Sequence, residues 1–273
     1  MTFPLDPLRH TGPVLCAGLD PSAEILHQWG FPDTADGLND WVATVTEAVV
    51  EAGLSVVKPQ VAFFERHGVG GMRSLAHLQG ALRSTGVRVI ADAKRGDIGT
   101  SVQGYGEAWL TPGSDFEADA LTVHPYHGIS SLAGVCELAQ ENQKTVFVLA
   151  ATSNPESEAL QSARLESGQT VSRSILEGLQ TLVATTGVSW SAVGAVVGAT
   201  VDQGARGLAL EDFPELPILA PGYGAQGALL SDVSQHFAHQ NLVIPVSARG
   251  LLSGGLDEFQ ARVSAAQGLM AAP

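Results

Sequence analysis

The strongest constraint on the fold is an alternation that runs the length of the chain. Short apolar runs rich in Val, Ile, Leu and Ala recur at 14–19, 55–57, 87–91, 120–123, 145–150, 192–197, 218–220 and 242–246. Between them lie stretches with helical spacing, at 38–51, 72–84, 102–110, 129–141, 171–186, 203–210, 229–237 and 256–270. The runs are short and continuously apolar, the pattern of strands buried on both faces. Strands that alternate with helices pair in parallel through right-handed crossovers. Eight such units in 273 residues, with no linker between halves, predict one α/β domain over 1–273, a closed (β/α)8 barrel. An open doubly wound sheet is the alternative, because the runs at 55–57 and 218–220 are short.

On either scaffold, ligands meet the carboxyl ends of the strands. The residues that follow the runs are Asp20, Lys58, the group Asp92, Lys94 and Asp97, His124, Ser153, Thr200, the loop 222–226 and Arg249. Asp, Ser and Thr also cap helices in such loops, so Asp20 or Thr200 taken alone says little. Lys58, Lys94 and Arg249 cannot cap. The chain has only three lysines, and two of them, Lys58 and Lys94, fall at strand ends.

The densest of these ends is 87–101, VRVIADAKRGDIGTS. A buried strand that ends in alternating acid and base is costly unless the charges are paired or used. Alternation keeps each group ionised, which predicts a protonated Lys94 between charged aspartates. A lysine held in that state donates protons and is not a Schiff-base nucleophile. The set Lys58, Asp92, Lys94 and Asp97 therefore suits a reaction in which negative charge builds up on carbon. Near the C-terminal end, Gly222, Gly224 and Gly227 allow close approach of backbone to a ligand, Gln226 can bridge, and Arg249 can grip a phosphate with two prongs. Barrels often bind phosphate after strands seven and eight.

Composition narrows the partners. A formal charge of −14 argues against nucleic acid and against an anionic membrane surface, while a local cationic cluster can still hold a small anion. Cys16 and Cys136 are far apart and form no metal-binding pattern, which fits a reducing compartment. The opening MTFPLDPLRHTGP lacks the layout of an export signal, and no apolar run approaches the ~20 residues of a membrane span. The expectation is a cytoplasmic protein.

These residues resemble the orotidine 5′-phosphate decarboxylase family. ADAKRGDIGTS carries its D-x-K-x-x-D signature, in the DAKRGDI form of the type 2 subgroup. GLDPS at 18–22, VKPQ at 57–60, TSNP at 152–155, PGYGAQG at 221–227 and SARG at 247–250 follow in family order. The resemblance implies cofactor-free, metal-free decarboxylation of orotidine 5′-phosphate to UMP, the last step of UMP synthesis. It assigns Asp20 and Lys58 to the ribose hydroxyls, Asp92 to the neighbourhood of the substrate carboxylate, and Lys94 to protonation of C6. Ser153 falls to the pyrimidine amide, and Gln226 and Arg249 to the phosphate. Asp97, with Ile98 and Ser101, is implied to enter the neighbouring subunit's site, which makes a homodimer. Ala151 stands where relatives usually carry a basic residue before TSN. Two rivals remain: a magnesium-dependent sugar-phosphate decarboxylase that shares the motif, and a barrel that binds a nucleotide phosphate without catalysis.

Overall fold

A computed structural model describes residues 2–271. Eight parallel strands close into a barrel in chain order: β1 (Cys16–Leu19), β2 (Val56–Pro59), β3 (Arg88–Arg95), β4 (Ala120–Val123), β5 (Thr145–Ala151), β6 (Val193–Val197), β7 (Ile218–Pro221) and β8 (Val243–Ser247). The ring is sealed by β8 against β1, with Cys16 opposite Val246 and Ala17 opposite Ser247. The open-sheet alternative is thereby excluded.

Two apolar layers account for the continuous hydrophobicity of the strands. Successive side chains of a strand point to opposite faces. Cys16, Val56, Ile90, Ala120, Phe147, Val196, Leu219 and Ile244 pack together in the barrel interior, with Leu5 and Leu8 among them. Their neighbours Val57, Val89, Leu121, Val146, Val148, Ala195, Ile218 and Val243 join the second core, with helix residues such as Trp41, Leu75, Leu179 and Phe259. The interior is filled by side chains and is not a pore. At Gly194 it leaves no room for a Cβ, which would lie 2.6 Å from the Phe147 ring.

The main helices obey local signals. Thr34 caps the helix Ala35–Glu51 by accepting the Gly37 N–H at 3.1 Å, and Thr170 caps Val171–Thr186 by accepting from Arg173 N–H at 3.1 Å. Gly187, at φ +77°, ends the latter.

Four expectations need correction. The third strand does not stop at 91 but runs through the charged motif to Arg95. The stretch 203–210 is a series of turns with a single 3-10 turn at Leu210–Asp212, because Gly207 at φ +61° and Ala209 at φ +41° interrupt any helix. The stretch 229–237 divides into a 3-10 turn, Leu230–Asp232, and one helical turn, Val233–His236. The polar segment 156–168 is not a bare loop; it contains a 3-10 turn at Pro155–Ser157, a short helix at Glu158–Gln161 and an antiparallel bridge between Arg164 and Thr170.

Candidate active site

The site follows from the strand period. Two residues beyond the interior layer, the same inward register carries polar groups: Lys58 after Val56, Asp92 after Ile90, Thr122 after Ala120. These groups, with Asp20 and Lys94, line a cavity of about 480 Å³ at the carboxyl end of the barrel. That size suits a small-molecule ligand.

Asp92 is the hub. Its Oδ2 accepts from Lys58 Nζ at 2.5 Å and from Gln60 Nε2 at 3.1 Å. Its Oδ1 accepts from Thr122 Oγ1 at 2.8 Å and faces Lys94 Nζ at 2.8 Å. Lys58 and Asp92 are buried, whereas the Lys94 side chain is 44% exposed toward the cavity. Lys94 has φ +48°, and the pairing of β3 with β4 shifts register between Ala91 and Arg95. This bulge lets the strand continue while it turns the lysine over the carboxylate. The Lys94 N–H donates to Thr122 Oγ1 at 3.0 Å, which holds the irregular backbone.

The electrostatics agree with this geometry. Burial acts to lower the Lys58 ammonium pKa, but the attraction of Asp92 and Asp20 and the hydrogen bond to Asp92 hold it above the ordinary lysine range. Burial likewise acts to raise Asp92, and the two lysines overcome it, leaving the carboxylate well below the usual range. Lys94 is lowered: burial dominates, Asp92 opposes it, and the Lys58 charge adds repulsion. Asp20 is raised by burial, with Lys58 opposing, and its Oδ1 is buried without a hydrogen-bond partner. An unpartnered carboxylate oxygen on a cavity wall is available to a ligand hydroxyl.

The opposite wall comes from the ends of β5, β7 and β8. Ser153 Oγ donates to Gln226 Oε1 at 2.7 Å, joining two loops over the cavity. Gly222, Gly224 and Gly227 all have positive φ, so the turn needs glycine there. The N–H of Gly224 is bonded to Ala228 O and that of Gly227 to Gly224 O. Those two amides serve the loop itself, while Ala225 and Gln226 at its tip line the cavity together with Arg249 after β8. Arg249 opens a short helix, Arg249–Leu252, lines the cavity, and makes no ion pair among the described residues.

The structure therefore brings together Asp20, Lys58, Asp92, Lys94, Ser153, Gln226 and Arg249. It does not bring Asp97, Ile98 and Ser101 to this cavity. Asp97 caps its own turn by accepting the Ile98 N–H at 2.8 Å, and Ile98 is 59% exposed. Arg95 pairs with Glu65 and lies over the Tyr105 ring, away from the cavity. His124 packs against Gly96, where a Cβ would lie 2.3 Å from its ring, and lines a neighbouring apolar groove. Thr200 is exposed and lines a separate pocket beside Gly227 and Ala228. Ala151 is fully buried in the outer core. Gln60 and Thr122 are the residues that sequence reasoning passed over. Both sit where the inward register of β2 and β4 brings them beside Asp92, a signal that the period of two contains. Cys16 and Cys136 are free and buried; burial pushes the Cys136 thiol up to about 12 and Cys16 higher still, so neither is a thiolate. Among the described residues no cluster of three or more His, Cys, Asp or Glu forms a metal-type group.

Fold and site together define a (β/α)8-barrel protein whose carboxyl-end cavity holds one carboxylate between two lysines. Residues 13–261 match the model of the Orotidine 5′-phosphate decarboxylase / HUMPS family, and the chain belongs to that family. It is 43% identical over 252 residues to the orotidine 5′-phosphate decarboxylase of Salinispora tropica, covering 92% of this chain and 89% of that protein. It is 40% identical over 244 residues to the enzyme of the same name from Myxococcus xanthus, covering 89% and 84%. A crystal structure of a Streptomyces avermitilis homologue matches with a TM-score of 0.85 at 38% identity, over 98% of this chain and 92% of the other. The Leishmania donovani OMP decarboxylase structure matches with a TM-score of 0.75 at 26% identity over the whole of both chains.

Proposed function

We propose that this protein decarboxylates orotidine 5′-phosphate to UMP, and that its DAKRGDI motif puts it in the type 2 subgroup, with 1–273 acting as one domain. The observation that carries the reading is the Lys58–Asp92–Lys94 array under the cavity, with Arg249, which makes no ion pair among the described residues, also on its wall. The named relatives share this chain over nearly its whole length, which supports the same activity.

The chemistry asks for little beyond fixed charge. The bond between C6 and the carboxylate carbon breaks, its electron pair stays on C6, and CO₂ leaves. No ring system delocalises that pair, so the barrier falls only as far as positioned charges favour the carbanion over the carboxylate. Lys94 lies over the cavity on a conformation held by Thr122 and Asp92, and it is the group we assign to stabilise and then protonate C6. Asp92 stays ionised beside the departing carboxylate. Lys58 fixes Asp92 and, with Asp20, takes the ribose hydroxyls. Ser153 is assigned to the pyrimidine amide, and Gln226 and Arg249 to the phosphate. Binding energy gained at the phosphate is then available to close the two loops that Ser153 and Gln226 join.

Ile98 and Ser101 are exposed and Asp97 is half-buried outside the cavity of its own chain, which supports their service in a partner subunit's site within a homodimer. Two free cysteines support a reducing, cytoplasmic setting. No helix among the described residues is long and apolar enough to cross a membrane.

The test follows the ultraviolet absorbance of orotidine 5′-phosphate with purified protein, with and without EDTA. Metal-independent loss of absorbance is expected. Loss that EDTA abolishes would overturn the metal-free mechanism, and no turnover would leave the magnesium-dependent sugar-phosphate class and the nucleotide binder.

A further inference from the structure

We propose that Gln161 is a positioning residue, which sets Ser153 against Gln226 and is itself anchored through Arg206. The proposal rests on the decarboxylase reading and adds a residue outside the charged array. Gln161 closes the short helix Glu158–Gln161 and stands in the wall between the substrate cavity and the apolar groove beside it.

Its amide grips Thr152 with both ends. The Thr152 N–H donates to Gln161 Oε1 at 2.9 Å, and Gln161 Nε2 donates to Thr152 Oγ1 at 2.9 Å. With its acceptor side taken, the Thr152 hydroxyl donates onward to Asn154 Oδ1 at 2.8 Å. Ser153 is therefore the middle residue of a turn whose two flanks are held by one directed chain of hydrogen bonds. Only a side chain with both a donor and an acceptor can hold the Thr152 N–H and hydroxyl in this way.

The second half of the device anchors the helix that carries Gln161. Arg206 is buried, with 8% exposure, and makes no ion pair among the described residues. Its Nη1 donates to Ser157 O at 3.1 Å and Glu158 O at 3.2 Å, and its Nη2 to Ser157 Oγ at 3.3 Å. The single proton of Ser157 Oγ in turn lies between Asn154 O at 2.7 Å and Thr152 O at 3.0 Å, both in the turn that carries Ser153. A buried cation without a carboxylate is costly, and what this one secures is the position of the segment after β5. The loop after β6 thus braces the loop after β5, and Ser153 reaches Gln226 from a fixed base.

A double-mutant cycle on the full chain tests the proposal, with orotidine 5′-phosphate as substrate. Gln161→Leu is expected to lower kcat/KM by about 10- to 100-fold, as loss of a directed polar contact does. In a Ser153→Ala background the same change should cost less than about threefold, because residues that act through one another are not additive. Gln161→Glu keeps the acceptor for the Thr152 N–H, should fall between the two, and serves the same cycle if the leucine variant does not fold. Hydrogen exchange at the Thr152 amide, slow in the parent and faster in Gln161→Leu, reads the positioning without reference to turnover. An unchanged kcat/KM in Gln161→Leu, a full loss retained in the Ser153→Ala background, or unaltered Thr152 exchange would each overturn it. Absence of turnover by the parent protein would instead remove the decarboxylase reading, and the exchange measurement would still decide the role of Gln161.

Discussion

Ser153 and Gln226 meet over the mouth of the barrel, the hydroxyl of one donating to the side-chain oxygen of the other at 2.7 Å. The sequence suggested two separate duties, a pyrimidine contact for the first and a phosphate contact for the second. Their contact joins the β5 end to the β7 end, so under the proposed assignments the phosphate and base contacts are coupled. Ser153→Ala and Gln226→Ala should each lower kcat/KM by about 10- to 100-fold, roughly 1.4–2.8 kcal/mol of transition-state stabilisation. The double variant should fall short of the product of the two. Steady-state kinetics on the three variants checks this, and full multiplicativity would mean that the contact carries no coupling.

Lys94 is the one cation of the Lys58–Asp92–Lys94 array whose side chain reaches solvent in the cavity. Lys94→Ala should reduce kcat by at least about 10³-fold, since electrostatic stabilisation and proton donation are both lost. EDTA should change neither parent nor variant. A variant with near-parental kcat would exclude Lys94 as the proton donor.

The pH profile should separate two groups. Lys94 must be protonated to donate, and its pKa lies below the ordinary lysine value, so kcat should fall as pH rises through a value under about 10.4. Asp92 is depressed and stays ionised on acidification. Asp20 is raised, so its charge is lost as pH falls through a value above the ordinary aspartate range. KM should therefore rise on the acid side before kcat does, and Asp20→Asn should abolish that limb. An acid limb that persists in Asp20→Asn would belong to the substrate phosphate, whose second pKa is near ~6.

Lys144 predicts stability and not activity. It is buried away from the cavity, with Nζ 2.8 Å from Glu117 Oε1 and 3.5 Å from Asp119 Oδ1. Asp119 Oδ2 also accepts the Val89 N–H at 2.8 Å, which ties the start of β4 to β3. Removing one member of a buried pair typically costs about 3–5 kcal/mol. Lys144→Met should lower the thermal midpoint by several degrees, at roughly 2–4 °C per kcal/mol, with KM unchanged. Calorimetry alongside kinetics reads both, and an unaltered midpoint would mean that the cluster is energetically idle.

Asp97 faces away from the cavity of its own chain. Mixing inactive Lys94→Ala with inactive Asp97→Ala should restore part of the activity if hybrid dimers hold one intact site. Complete absence of rescue, with subunit exchange demonstrated, would count against a shared site.

The barrel was legible because each buried strand announces itself by composition, and eight of them alternate with helices. Lys58, Asp92 and Lys94 were legible because buried charge at a strand end has few structural excuses. Gln60, Thr122, Gln161 and Arg206 were not. Neutral amides and hydroxyls occur at surfaces, caps and turns as readily as in sites, and one arginine among many carries no mark in the chain of the carbonyls it holds.

The sequence by itself determined the alternation of buried parallel strands with helices, the polar residues presented at one end, and the family resemblance. These rest on periodicity and residue type, which are local properties. Only the tertiary structure decided that β3 continues through the charged motif by a bulge, that Asp92 gathers four donors, and that Ser153 and Gln226 meet. Apart from Lys94, two positions from Asp92, those contacts join residues 30 to 73 positions apart and are set by the closure of the barrel and by no segment alone.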